Sequence, residues 1–160
     1  MVILGIDPGF AIVGWGVVEF NFNKYSLIDY GSINTTANNP IEDRLEYVYL
    51  GLSKIIRKFK PDVAVVEELF FNNNAKTVIK VGEARGVIIL TLKRKNIPFI
   101  ELTPLEIKMA LTGYGRADKR QIQNTVKLLL SLDSIPKPDD AADAIAGAIS
   151  YTQYSKKNIL

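Results

Sequence analysis

The chain of 160 residues is 48% hydrophobic and 23% charged, which predicts one globular domain with its own core and excludes a disordered tail. It contains neither cysteine nor histidine, which excludes disulfides and the usual thiolate or imidazole metal sites. A formal net charge of +3 is compatible with a polyanionic partner.

Nothing in the sequence predicts a membrane partner. The longest apolar run, residues 86–92, is far shorter than the roughly 20 residues that a membrane-spanning helix needs. The opening apolar run contains Asp7 and follows no positively charged leader, so we predict no secretory signal and a cytoplasmic protein. We expect residues 1–155 to form a single domain, followed by a short basic tail at 156–160.

Three β-rich runs open the chain, at residues 2–7, 13–20 and 25–33. The first is closed by Pro8 and Gly9, which favour a turn. The polar segment 21–24 between the second and third runs has the composition of a hairpin turn. We therefore predict that the first three strands form an antiparallel meander.

A helix with one apolar stripe follows up to Phe59. Asn39 is a candidate cap, Pro40 suits the first helical position, and Pro61 lies just beyond the end. The later elements are predicted as a strand at 63–67, a helix at 74–95, a strand at 97–102, a capping box at 103–106, a helix from Asp118 and an alanine-rich helix from about Asp140. This order predicts an α/β fold whose five-stranded mixed sheet, a three-stranded antiparallel meander plus parallel strands, is flanked by helices.

Strand direction predicts that two acids meet at one edge of this sheet. In a meander the first and third strands run the same way, and a helical crossover returns the fourth strand in that direction too. Asp7 closes the first strand and Glu67 closes the fourth. Because side chains alternate along a strand, Asp7 and Glu67 each lie on the same face of their strand as the apolar residues two and four positions earlier.

The last predicted helix supplies two more acids. Asp140 and Asp143 are three residues apart and therefore share one helix face. The residues around them are nearly all alanine and isoleucine, so the helix is expected to pack against the sheet and to hold its acids at the inner edge of the domain.

Carboxylates that are gathered closely raise one another's pKa unless a cation compensates their charge. Because the chain offers no histidine or cysteine ligands, the expected ion is Mg²⁺ or Mn²⁺. Two such ions, about 3.5–4 Å apart, can activate a water molecule and stabilise the leaving oxygen in phosphodiester hydrolysis. The four acids therefore predict a metal-dependent nuclease.

Each acid also has an ordinary structural interpretation. Asp7 could be a turn residue, Glu67 an exposed strand end, and the two helical acids simple caps. It is the expected convergence of all four that favours a metal site. Glu68 and Asp139 are left outside it, because alternation points Glu68 to the other face and Asp139 is a plausible cap.

Four motifs resemble those of the RuvC-type Holliday-junction resolvases. They are GIDPG at 5–9, EELF at 67–70, GEARGV at 82–87 and DAADA at 140–144. The likeness covers about residues 1–153. It implies an RNase H-like fold, a homodimer, and catalytic, metal-binding roles for Asp7, Glu67, Asp140 and Asp143. It also implies symmetric cleavage of a four-way DNA junction that leaves 5′-phosphate and 3′-hydroxyl ends, in cooperation with a branch-migration motor.

The resemblance assigns further residues to DNA. Lys108 and Lys119 match basic positions near the family's active site, and Phe70 matches an aromatic that stacks on bases at the opened junction centre. Their ordinary interpretations are solvated helix surface for the lysines and core packing for Phe70. Independently of the family, Arg116 and Arg120 lie with Lys119 near a predicted helix N-terminus, which favours contact with backbone phosphates.

Gly82 and Gly86 lie one turn apart inside the predicted long helix, where glycine costs stability unless something packs closely. We take this face as a candidate subunit interface. Other activities remain open: an RNase H-like nuclease that acts on RNA, a junction-binding module that does not cleave, and one lobe of an actin-like or sugar-kinase ATPase. A requirement for the 2′-hydroxyl would identify the RNA nuclease, and the chain has length for only one ATPase lobe.

Overall fold

Five strands form one mixed sheet in the computed structural model of the chain, which describes residues 1–68 and 75–157. The strands are β1 (Val2–Asp7), β2 (Ile12–Asn21), β3 (Lys24–Asn34), β4 (Val63–Glu67) and β5 (Phe99–Leu102). Their order across the sheet is β3-β2-β1-β4-β5. The first three are antiparallel, whereas β1, β4 and β5 are parallel, so the predicted mixed sheet is confirmed.

In the part of the chain that the structure describes, five helices flank the sheet: α1 (Ile41–Phe59), α2 (Ala75–Arg94), α3 (Pro104–Thr112), α4 (Lys119–Leu129) and α5 (Asp139–Lys157). Two capping boxes fix the start of α3 and α4: Thr103 with Glu106, as predicted, and Asp118 with Gln121. In the described ranges, no helix is both long and apolar enough to cross a membrane.

Two local predictions need correction. Asn39 does not cap α1, because Pro40 occupies the cap position and no side chain bonds there. The fifth strand begins at Phe99 instead of Ile97, since Pro98 has no N–H to give to a strand ladder. The hairpin turn is as expected: Phe22 and Asn23 both have positive φ, 46° and 61°, which suits a two-residue loop.

The sheet separates two hydrophobic cores. On one face, α5 covers β1 and β2, and buried Ile3, Val65 and Ile145 belong to the same core. On the other face, α1 packs against α2, and the core there includes Leu4, Leu52 and other aliphatic side chains. Alternation along β1 and β4 therefore directs Ile3 and Val65 towards α5, as the sequence predicts.

Candidate active site

Parallel pairing of β1 with β4 sets two of the predicted acids next to each other. The register places Gly5 opposite Val65 and Ile6 opposite Val66. The next residue of each strand is Asp7 and Glu67, so the two carboxylates leave the sheet side by side at its carboxyl edge. Ligand sites in α/β sheets tend to form at this edge.

Glycines in the first two strands let α5 lie directly on the sheet. A Cβ built on Gly14 would overlap the backbone carbonyl of Asp140, and one built on Gly5 would overlap that of Ala144. Gly14 is also the register partner of Asp7. The start of α5 is therefore held against the end of β1, which brings the helical acids to the strand acids.

The carboxylates of Asp7, Glu67 and Asp143 have raised pKa values, and the charge of the neighbouring Asp140 adds to the shifts of Asp7 and Asp143. Burial raises the pKa of Asp7 to about 8, and the charges of the other three carboxylates add to the shift. Burial followed by the charge of Asp143 raises the pKa of Glu67 to about 7. Burial also raises the pKa of Asp143, although the ammonium of Lys119 opposes it. The negative charge of these carboxylates is therefore not fully compensated by nearby cationic side chains.

Two lysines supply part of that charge. The Nζ of Lys119 lies 3.0 Å from Asp139 Oδ2 and 3.4 Å from Asp143 Oδ2. Burial opposes the charged form of Lys119, but its hydrogen bond to Asp139 and the nearby negative charges outweigh burial and raise its pKa. The charge of Lys108 acts on Glu67 and lowers its pKa against the larger effect of burial. Both lysines thus belong to the acidic site.

A cavity of about 210 Å³ opens beside the carboxylates. Its polar lining comes from Glu67, Lys108, Lys119 and Asp143, and its apolar walls come from α3, α4 and α5. A surface with both carboxylates and ammonium groups suits a ligand that brings cations and phosphates together.

The donor set fits hard divalent ions, because it consists of carboxylate oxygens alone. As the side chains stand, no group of three acidic residues within the described ranges is close enough to hold one ion. The raised pKa values of Asp7 and Glu67 indicate that a cation would stabilise the ionised carboxylates.

Two other predicted DNA contacts, Arg116 and Arg120, do not line this cavity. Arg116 and Arg120 are exposed, and neither forms a salt bridge with any part of the chain that the structure describes. Phe70 lies outside the described residues, so its predicted role stays a prediction.

Sequence reasoning left out Asp139, which the structure connects to the site. This acid is the first residue of α5; it pairs with Lys119 and accepts a bond of 3.4 Å from Gln123 Nε2. The hydrogen bond from Lys119 holds the pKa of Asp139 below its usual range. The helical spacing of Asp139 and Asp143, four residues apart, was the available signal, since both can reach one cation on a neighbouring helix.

Comparison with known proteins identifies the family. The family model of the crossover junction endodeoxyribonuclease RuvC matches residues 3–151. The chain belongs to the RuvC family. It is 54% identical over 155 residues to the crossover junction endodeoxyribonuclease RuvC of Desulforamulus reducens, covering 97% of this chain and 95% of that protein. It is 51% identical over 156 residues to the RuvC of Finegoldia magna, covering 98% and 95%.

Solved RuvC structures have the same fold. A structure of Thermus thermophilus RuvC superposes with a TM-score of 0.90 at 30% identity, covering 99% of this chain and 97% of that chain. A second, which holds a Holliday junction substrate, has a TM-score of 0.90 at 28% identity, covering 98% and 96%. The predicted RNase H-like fold, the RuvC membership and the class of metal-dependent endodeoxyribonuclease are thereby confirmed.

Proposed function

We propose that this chain resolves four-way DNA junctions by hydrolysing one phosphodiester bond in each of two symmetrically related strands. The observation that supports it most is the set of four carboxylates at the carboxyl edge of β1 and β4, beside two lysines. Family membership adds that a RuvC relative has been seen with a Holliday junction substrate. Hydrolysis would add the oxygen of water to phosphorus and break the bond to the 3′-oxygen, leaving a 5′-phosphate and a 3′-hydroxyl.

Asp7, Glu67, Asp140 and Asp143 would hold two Mg²⁺ ions, and Mn²⁺ could replace them. Bound there, the ions would activate water and stabilise the leaving oxygen. The positions of Glu67 and Asp7 are fixed by the pairing of neighbouring strands. The positions of Asp140 and Asp143 depend on the close packing of α5 against Gly14 and Gly5. The residues thus pre-position the ligands, and the ions complete the charge balance.

Lys108 and Lys119 would bind phosphates next to the cleaved bond. Lys119 forms ion pairs with Asp139 and Asp143, so a phosphate would compete with these carboxylates for its ammonium. The exposed Arg116 and Arg120 would bind the backbone further along the strand. Phe70 would stack on a base at the junction centre.

A homodimer would match the two-fold symmetry of the junction, with one active site for each cut strand. On α2, Ile79 and Leu90 are 63% and 57% exposed, and a Cβ at Gly82 or Gly86 would have no neighbour within 4 Å. These four residues follow helical spacing and form one stripe, the α2 stripe, which we propose as the subunit interface. Sedimentation of a monomer at micromolar concentration would contradict it. Cooperation with a branch-migration motor is also part of the proposal.

The central experiment compares wild type with Asp7→Asn on a labelled four-way junction and on linear duplex, with and without Mg²⁺. The variant is expected to bind junctions and to lose cleavage by on the order of 10³-fold or more, since it lacks a metal-binding carboxylate. Asp133→Asn is the matched control, because Asp133 is an exposed acid outside the site.

Four results would count against the proposal. Equal cleavage by Asp7→Asn and wild type would remove Asp7 from the mechanism. Preference for linear duplex would indicate a general nuclease. A strict need for a 2′-hydroxyl would favour the alternative of an RNA nuclease. Binding of junctions by the wild type without cleavage would favour the alternative of a non-cleaving binding module.

A further inference from the structure

A second polar pocket lies at the edge of the domain, outside the carboxylate site. It has a volume of about 150 Å³ and is lined by Asn34, Thr35, Thr36, Asn39, Arg44 and Tyr47. These residues come from the end of β3, the following loop and the first turns of α1. Its lining is mainly polar and includes one cationic side chain, that of Arg44.

Arg44 is unusual because it is a charged residue with only 8% of its surface exposed. Its Nε donates to Thr35 Oγ1 at 3.0 Å, and its Nη2 donates to the carbonyl of Phe10 at 3.3 Å. The guanidinium carbon also lies 3.6 Å from the centre of the Phe10 ring. All these partners are uncharged. Buried charges are normally paired with an opposite charge, and among the residues described here Arg44 forms no salt bridge.

Part of the guanidinium remains free to bind a ligand. The two hydrogen bonds use only some of its N–H groups. In the described part of the chain, the one buried side-chain polar atom that lacks a partner is Ser53 Oγ. No guanidinium nitrogen of Arg44 is among such buried, unpartnered atoms, and Arg44 is one of the residues that line the pocket.

The pocket lies on the same edge of the sheet as the carboxylates. Strand β3 is parallel to β1, so its end at Asn34 points the same way as Asp7. The two strands are separated by β2, which corresponds to about 10 Å in the plane of the sheet. The loop from Asp7 to β2 passes between them, and Arg44 holds it through Phe10.

We propose that the Arg44 pocket binds a backbone phosphate of the junction DNA, close to but not at the cleaved bond. The inference rests on the proposed function. A phosphate supplies the negative charge that Arg44 lacks and accepts hydrogen bonds from a guanidinium fork. Asn39 and Thr36 are exposed at the rim and offer amide and hydroxyl donors to the same anion.

Three acids of α1, Glu42, Asp43 and Glu46, are the nearest groups in sequence that would repel an anion. All three are exposed and none lines the pocket, so solvent screens them more than it screens Arg44. Lys80, whose Nζ lies 5.4 Å from the centre of the Phe10 ring, adds positive charge on the side towards α2.

The test uses a pair of neighbouring asparagines. Asn39→Asp places a negative charge at the rim without touching the contacts of Arg44, whereas Asn38→Asp makes the same change at an exposed residue that does not line the pocket. Junction affinity is measured without divalent ions, so that no cleavage occurs, over a range of salt concentrations. Arg44→Lys is a third variant, which keeps the charge and loses the fork.

Asn39→Asp is expected to weaken junction binding about tenfold more than Asn38→Asp does. For Asn39→Asp, the slope of log affinity against log salt concentration should become shallower by about 0.9, which is the value for one lost phosphate contact. Arg44→Lys should fall between wild type and Asn39→Asp. Equal affinities and equal salt slopes for the two asparagine variants would overturn the proposal. If wild type itself neither binds nor cuts junctions, the proposed function fails instead.

Discussion

The two faces of the sheet are built by different means. On the α1 and α2 face, large aliphatic side chains such as Leu52 and Ile88 fill the space between helix and sheet and are fully buried. On the α5 face, the helix rests on glycines, so that its backbone lies where side chains would otherwise be. The first arrangement provides stability. The second sets the positions of charged groups that repel one another.

This difference shows why the acidic face depends on close backbone contact. Carboxylates such as Asp7 and Asp143 raise the free energy of the folded state when no cation is bound, as their raised pKa values indicate. The hydrophobic cores on the two faces of the sheet offset that cost. The comparison can be tested by changing each face separately.

The largest expected effect is the pH dependence of the metal-free protein. Asp7 and Glu67 have pKa values of about 8 and 7 in the folded state, against ordinary values of 3.8 and 4.5, so between these limits the folded chain binds more protons than the unfolded chain. The contribution of this pair to stability should therefore be greatest below about pH 4 and should fall as pH rises to about 8, by on the order of several kcal/mol. Denaturant unfolding in EDTA at several pH values measures it.

Asp7→Asn should flatten that slope, and added Mg²⁺ should restore stability at high pH, because the ion binds the ionised carboxylates. Asp139→Asn is the contrasting control. Since the pKa of Asp139 is lowered, its contribution is present at neutral pH and is lost as pH falls, which is the opposite sign. A wild-type protein whose metal-free stability does not change between pH 5 and 8.5 would contradict the proposed repulsion.

The next effect belongs to the other face. Leu52→Ala removes a fully buried side chain from the α1 core and should lower the free energy of unfolding by about 2–5 kcal/mol. The folded fraction should cut junctions at the wild-type rate, since α5 and its acids are untouched. Leu50→Ala, the same substitution at a residue that is 53% exposed, should change little. A loss of cleavage by folded Leu52→Ala would mean that the two faces are not independent.

Gly14→Ala is expected to lower stability less than Leu52→Ala does, but to reduce cleavage more. The methyl group of Gly14→Ala would overlap the backbone of Asp140, so the start of α5 must move at a cost of about 1–3 kcal/mol. Cleavage should fall at least about tenfold, because a misplaced ligand weakens the site. Gly147→Ala is the control, since its Cβ would make only ordinary contacts, 3.8 Å and 3.9 Å from Val65 and Ile107. Equal cleavage by both variants would show that Gly14 does not position the acids.

These contacts mark the limit of what the sequence predicts. The meeting of Asp7 and Glu67 follows from strand direction and alternation, which are local rules, and the structure agrees. The close contact between the backbone of Asp140 and Gly14 cannot be predicted from the sequence. Helix α5 is apolar on most sides, so its periodicity does not show which residue touches which strand. The register of a buried helix on a sheet depends on packing over the whole face.

Charged residues illustrate the same limit. Arg44 has the sequence context of an ordinary exposed helical residue, and it is buried through contacts with Phe10 and Thr35, which are distant in sequence. The pairing of Lys119 with Asp139 depends on how α4 packs against α5. Helix capping at Thr103 was predictable because both partners are three residues apart, whereas at Asn39 the neighbouring proline changed the outcome.

The smallest expected effect concerns the α2 stripe, which belongs to neither buried face. Gly86→Ala adds a methyl group where this chain alone has no neighbour, so a dissociated subunit should gain up to about 1 kcal/mol from helix propensity. If the stripe is the subunit interface, the same methyl group separates two helices that pack closely, and the dimer should dissociate more readily. Sedimentation equilibrium and unfolding at several protein concentrations distinguish the two effects. Gly147→Ala shares the gain in propensity but lies in α5, away from the stripe. An unchanged dimer affinity in Gly86→Ala, together with the gain in stability, would place the subunit contact elsewhere.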